Sequence, residues 1–478
     1  MSSDAPAPPV AATAPRPPLI ALGAGAVLAG ALAVVQPLAG IALALMTLVV
    51  VLLRTTPLPR LGRVLVALTA GAAVLGPNLA APPIPWLFAF RILIVLLGLG
   101  VVAYLLMDGR LVLPAGVPRP AALLGAWLVW SLLSIGWAGS PLAALRWSGL
   151  LAMGIVLAVG IAVLCRERRR AIVLLAILGG VFALACLVAL AEIATGFTLP
   201  TSRASGRLGA FGATSLFGNE NNFAVYLALT LPFFAALPIV YRDVRIRAIG
   251  YVGAVLCLLF VMTTGSKSAL LAVGLVLVGM LVVIGFDRER RGRLVVGGAV
   301  AGLAALLVIP SVLGGGIVPL PESTVTKFDF NILRAQVETQ SGSGGVRASL
   351  FDEGLALVDD SDYLGVGAGN AETEVQALAN FPGVGNLHNW WLEVLVTGGV
   401  VAFVLYVAFY LLLLRGTLGA ARRGVHPFTR YLGLAAGLAT LGWAAGSIGP
   451  STAIAFAPMW VTFGLAMGAI ALARREAS

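Results

Sequence analysis

Charge is scarce in this 478-residue sequence: 11% of its residues are Asp, Glu, Lys or Arg, while 60% are hydrophobic. A soluble globular domain carries about a quarter charged residues, so that class is excluded. Histidine occurs twice, at His388 and His426, and the two do not stand at a metal-ligating spacing. The three cysteines, Cys165, Cys186 and Cys257, fall at or inside apolar runs with no metal-ligand spacing and read as packing residues. A phosphate-binding loop, a dinucleotide fingerprint and an aspartate-rich donor-sugar motif are also missing. Their absence argues against a cytoplasmic enzyme that uses ATP or nucleotide sugars, and no cofactor or metal is expected.

What is abundant is long apolar sequence. Runs of roughly 17 to 25 residues recur from end to end, each long enough to cross a ~30 Å hydrocarbon core as a helix. They lie at about 19–35, 38–53, 64–80, 86–107, 121–138, 147–165, 171–192, 223–240, 248–264, 268–285, 294–312, 388–414, 431–447 and 455–472. The fold expected is therefore all-α, a polytopic transmembrane bundle of about fourteen spans. Its parts would be a disordered cytoplasmic tail over 1–18, a membrane bundle over 19–312, a large outer loop over 313–387, and C-terminal spans with a short tail over 388–478.

The net charge of +11 would suggest nucleic acid in a soluble protein. Here its distribution sets topology instead, and no nucleic-acid partner is expected. With both termini in the cytoplasm, 23 of the 31 basic residues fall on inner connections, including "RERRR" at 166–170 and "RERRGR" at 288–293. Eight are left outside: Arg91, Arg146, Arg203, Arg207, Lys267, Lys327, Arg334 and Arg347. A cation retained where topology disfavours it invites a second explanation. Lys267 stands between two apolar spans with almost no loop around it. A charge there costs roughly 2.5–3.5 kcal/mol on insertion scales, so it faces a cavity or partner unless it snorkels to the headgroups.

The outer loop holds half of the acidic residues. Its "QSGSGG" at 340–345 reads as a flexible connector, and "VRASLFDEGLALVDD" after it as an amphipathic helix through Leu350, Phe351, Leu355 and Val358. Arg347 opens that helix just ahead of Asp352, Glu353, Asp359, Asp360 and Asp362, with which a surface ion pair is the plain alternative. His388 stands further on at a membrane boundary, beside Trp390 and Trp391, which read as aromatic-belt residues, and one turn ahead of Glu393. Several cations, a neutral-pH acid or base and a carboxylate at one membrane face suit chemistry on a membrane-embedded diphosphate.

These residues also carry a resemblance. "GVRASLFDEGLALVDDSDYLGVGAGN" followed by "NLHNWWLEVLVTGG" resembles the core signature of the O-antigen ligase and O-antigen polymerase family. "TTGSKSALLA" is similar to the family's Ser-Arg element, with Lys267 where arginine is usual. "GNENN" resembles its Asn-Pro-Asn region, with Glu220 in place of proline, and "SIGWAGSPLAALRW" its early Ser-Trp and Arg loop. The resemblance implies a metal-independent glycosyltransferase at the outer face of the bacterial inner membrane. Its donor would be an undecaprenyl-diphosphate-linked oligosaccharide and its acceptor a glycan or glycolipid. By the same carry-over Lys267, Arg347 and His388 are the catalytic candidates, with Arg207, Asn389 and Glu393 on the substrate side. A transporter or lipid flippase is the competing class, and it would call for charges near the bilayer midplane and paired broken spans.

Overall fold

The computed structural model describes residues 58–81, 84–108, 112–202, 212–285, 342–377, 386–450 and 452–478. Contacts group the chain into Met1–Leu65 and Val66–Ser478. Of the first unit only the opening of one helix is described, and the second unit holds every other described element.

Thirteen α-helices occur among the described residues. The first eight are α1 (Leu58–Leu75), α2 (Ala89–Asp108), α3 (Pro118–Leu133), α4 (Pro141–Leu164), α5 (Arg168–Thr195), α6 (Glu220–Val240), α7 (Val244–Thr264) and α8 (Lys267–Gly285). Then come α9 (Gly342–Asp360), α10 (Ala371–Ala377), α11 (Trp390–Arg423), α12 (Pro427–Gly446) and α13 (Ala457–Ala477). One antiparallel ladder, Ala80–Ala81 with Ile84–Phe88, links α1 to α2. The all-α expectation holds. Eleven of the expected spans each fall on one helix, and those at 19–35, 38–53 and 294–312 lie outside the described residues.

Among the described residues seven helices are long and apolar enough to cross a membrane, and Ala89–Val102 and Lys267–Val283 are shorter apolar stretches. The chain is a multi-pass membrane protein. The 20-residue α12 falls short of that apolarity, and its packing explains why. It lies against α6, α8, α11 and α13, so helices surround it instead of lipid. Glycines allow that approach: a Cβ on Gly442 would come 2.8 Å from Val276, and one on Gly433 2.6 Å from the Ala421 nitrogen.

Local chemistry sets the helix ends. Ser140, Asn219 and Asp243 accept backbone N–H groups at the starts of α4, α6 and α7. Left-handed Gly196 and Gly265 close α5 and α7. At one end of the bundle the arginine clusters meet. There Arg475 donates to the Arg166 carbonyl at 3.1 Å, and the Glu476 carboxylate accepts from Val425 N (2.9 Å), His426 N (3.2 Å) and Thr429 Oγ1 (2.6 Å).

The opposite end gathers the C-termini of α3, α5, α7 and α12 and the N-termini of α4, α6, α8, α11 and α13. Its loops are tied by a buried carboxylate. Glu192 accepts from Thr214 N (2.8 Å), Thr214 Oγ1 (2.9 Å) and Ser215 N (2.8 Å), joining the end of α5 to the loop that enters α6. Glu192→Gln keeps one acceptor oxygen and turns a donor toward the Thr214 hydroxyl. A loss of roughly 1–2 kcal/mol is expected, read as a lower melting temperature in detergent.

Candidate active site

The 361–370 segment and α11 define the geometry of this end. Helix α11 is broken at Gly399, where φ is 64° and ψ is −166°. In an unbroken helix the Val400 N–H would donate to the Val396 carbonyl. Instead it donates to the Tyr363 carbonyl at 3.0 Å, and the Val396 carbonyl accepts from the Val366 N–H at 2.9 Å. The loop is thus spliced into an opened helical hydrogen bond, and no backbone group of that pair is orphaned.

Two indoles brace the splice. Trp130 Nε1 donates to the Gly398 carbonyl at 2.7 Å and Trp137 Nε1 to that of Gly365 at 2.9 Å. Gly365, Gly367 and Gly369 all have left-handed φ, of 80°, 93° and 68°. A Cβ on Gly367 would lie 2.7 Å from that of Ala138, and one on Gly369 2.7 Å from the Ala143 carbonyl. Asn370 completes the latch by accepting the Ser140 N–H at 2.7 Å. The "GVGAGN" turn is therefore a backbone lock between the α3–α4 corner and the kinked helix.

Helix α9 is seated on this frame. Leu350 and Val358 are buried in a cluster with Val375, Leu387, Leu392 and Val396, and a Cβ on Gly354 would lie 2.8 Å from Leu392. The helix is amphipathic as expected, but Phe351 and Leu355 are on its exposed side, and Gly342–Gly345 form its first turn where a connector was expected. Arg347 stands one turn before Leu350, on the helix that packs against the first part of α11. Burial pulls its guanidinium below the ordinary value. Among the described residues no carboxylate pairs with it, so the surface ion pair is not formed.

His388 is half-buried with φ at +50°, a strained conformation for a non-glycine residue, and its N–H donates to Asn386 Oδ1 at 2.7 Å. Asn389 caps α11, accepting from Trp391 N at 3.2 Å and Leu392 N at 3.4 Å. Glu393 is buried in the first turn of α11. Lys267 opens α8 after the Gly265 turn, beside buried Ser266 and Ser268, whose hydroxyls are 3.2 Å apart.

One turn joins the two regions. Trp390 N donates to the Ser447 carbonyl at 3.3 Å, while a Cβ on Gly449 would lie 2.6 Å from Ser268 Oγ. The starts of α8 and α11 thus flank the same 447–449 turn. Arg347, Lys267, His388, Asn389 and Glu393 all belong to this end of the bundle. Arg207, like Arg203, Lys327 and Arg334, lies outside the described residues. Of the other outer cations, Arg91 sits 4.8 Å over the Phe88 ring and Arg146 is exposed on α4.

The tandem tryptophans are not a belt. Trp390 is fully buried, 6.0 Å from Trp127 and 5.9 Å from Tyr406, and Trp391 Nε1 donates to the Ala444 carbonyl at 3.0 Å. Their indoles anchor α11 to α3 and α12. Two further features have little sign in the sequence: the Glu192 clamp, and the meeting of the glycine loop with Val396 and Val400. An acid just ahead of a Thr-Gly pair is the one local signal for the clamp.

The fold is that of a multi-pass helical membrane protein, with cations, a histidine and a buried carboxylate held at one end. No cluster of His, Cys, Asp and Glu that could hold a metal occurs among the described residues. Residues 252–407 match the family model described as O-antigen ligase. Over 359 residues the chain is 24% identical to the Teichuronic acid biosynthesis protein TuaE of Bacillus subtilis (strain 168), covering 73% of this chain and 71% of that protein. By these matches the chain is similar to the O-antigen ligase family over residues 252–407 and to one protein of teichuronic acid biosynthesis. The matched range includes Lys267, Arg347, His388, Asn389 and Glu393 but not Arg207.

Proposed function

We propose that this protein is a glycosyltransferase of the ligase or polymerase type, acting on undecaprenyl-diphosphate-linked glycans at the outer face of the cytoplasmic membrane. The observation that carries the reading is the Arg347 guanidinium. It is partly buried, without a carboxylate partner among the described residues, and mounted on the helix that packs against the His388 entry of α11. A buried cation left without an acid is costly unless its occupant is an anion. The family match and the relative's role in teichuronic acid biosynthesis support glycan assembly. The arginine clusters at the other end support cytoplasmic placement of that end and of both termini.

In the proposed reaction an acceptor hydroxyl attacks the anomeric carbon of the lipid-linked sugar. The bond from that carbon to the diphosphate oxygen breaks, and undecaprenyl diphosphate leaves with the electron pair, with inversion. Arg347 and Lys267 stabilise the departing charge, the lysine as a point charge without the bidentate fork. His388 receives the hydroxyl proton as the general base. Glu393 orients the histidine, and Asn389 holds the start of α11 in place by its cap.

The test is transfer by purified protein from a defined lipid-linked oligosaccharide. Because His388 has positive φ, asparagine is the informative substitution: it tolerates that backbone and removes only the ring chemistry. His388→Asn is expected to lower transfer roughly a hundredfold or more, with protein yield unchanged. Full transfer by both His388→Asn and Arg347→Ala would end the assignment.

A further inference from the structure

We propose that a cavity at the arginine end of the bundle is a binding site for the headgroup of an anionic phospholipid. The cavity, of about 860 Å³, lies between the start of α3 and the last turns of α11 and α13. Arg119, Arg415, Arg422, Arg423 and Arg474 line it. None of the five is ion-paired among the described residues. Glu476, in the last turn of α13, is engaged by Val425, His426 and Thr429.

Topology alone explains arginines at this end, but it does not explain five of them converging on one hollow. The helix dipole accounts for Arg422, Arg423 and Arg474, which sit in the last turns of their helices. It works against Arg119, in the first turn of α3, where the helix end is itself positive. Arg415 lies two turns inside α11 and gains nothing from it. An anion bound among them offsets both the mutual repulsion and the dipole.

The rest of the lining fixes the kind of anion. Leu412 and Ile470 contribute apolar surface, and Ile470 is brought close by glycines: a Cβ on Gly116 would lie 2.7 Å from it, and one on Gly416 would run into it. Guanidinium groups above an apolar wall suit a phosphodiester with its acyl chains in the bilayer, and the number of arginines suits a lipid bearing two phosphates.

The experiment is native mass spectrometry of the full-length protein in detergent, with a melting curve for each added ligand. Diphosphatidylglycerol is expected to be retained and to raise the melting temperature, and phosphatidylcholine to do neither. The double variant Arg415→Gln/Arg474→Gln should weaken retention roughly tenfold or more. The control Arg242→Gln/Arg245→Gln, which removes two arginines of the same end away from the cavity, should leave it unchanged. Equal weakening in both pairs would overturn the site and leave only a diffuse charge effect. Equal stabilisation of the wild type by inorganic pyrophosphate would overturn the lipid, and absence of any preference over phosphatidylcholine would overturn both. None of these readings uses the transfer reaction.

Discussion

Arg347→Ala is expected to lower glycan transfer by roughly a hundredfold to a thousandfold, the scale on which a single preorganised charge-stabilising donor acts. The melting temperature should hardly move. Helix α9 is anchored by Leu350, Gly354 and Val358, not by Arg347, and no acidic partner among the described residues would be orphaned by the change. Arg347→Lys should recover part of the rate, since the charge returns without the planar fork. Initial rates of undecaprenyl diphosphate release, at several donor concentrations, check both variants. Loss of a guanidinium that only binds the donor raises KM, whereas loss of one that stabilises the leaving diphosphate lowers kcat. Unchanged rates across that range would remove Arg347 from the reaction.

The second large effect is expected on the fold. Gly399→Ala places a Cβ against the Tyr363 carbonyl and the Leu364 backbone, at a φ and ψ that glycine alone adopts without strain. The loop must then leave, which exposes the Val396 carbonyl and the Val400 N–H together. A destabilisation of roughly 3 kcal/mol or more is expected, with protease cleavage within 361–370 appearing well below the melting temperature. Gly419→Ala on the same helix is the control. A Cβ there meets nothing within 4 Å, and the better helix former should be neutral or stabilising by up to about 1 kcal/mol. If the two variants melted alike, the splice would not be holding the loop.

The apolar runs were legible because hydrophobic length is a local sum: each of the seven long apolar helices needed only the residues it contains. Cys165, Cys186 and Cys257 read as packing residues and are buried and free. The motifs around Lys267, Arg347 and His388 were legible as an ordered set, and the family model covers the same stretch. Other features had no local sign. Trp390 and Trp391 look like belt residues until Trp127 of α3, and Tyr406 further along α11 itself, close around them. The acids following Arg347 suggest an ion pair, but the helix turns Arg347 and those carboxylates to different neighbours.

By itself, then, the sequence determined that this is a helical membrane protein, which of its ends is rich in arginine, and which polar residues are exceptional. Only the tertiary structure decided that Val396 and Val400 give up their mutual hydrogen bond to the Tyr363–Val366 loop, and that the starts of α8 and α11 share the 447–449 turn. The reason is one of range. Hydropathy and charge count act residue by residue along the chain, whereas a split hydrogen bond or a shared turn requires segments tens to hundreds of residues apart to arrive together, and their own sequences do not encode the partner.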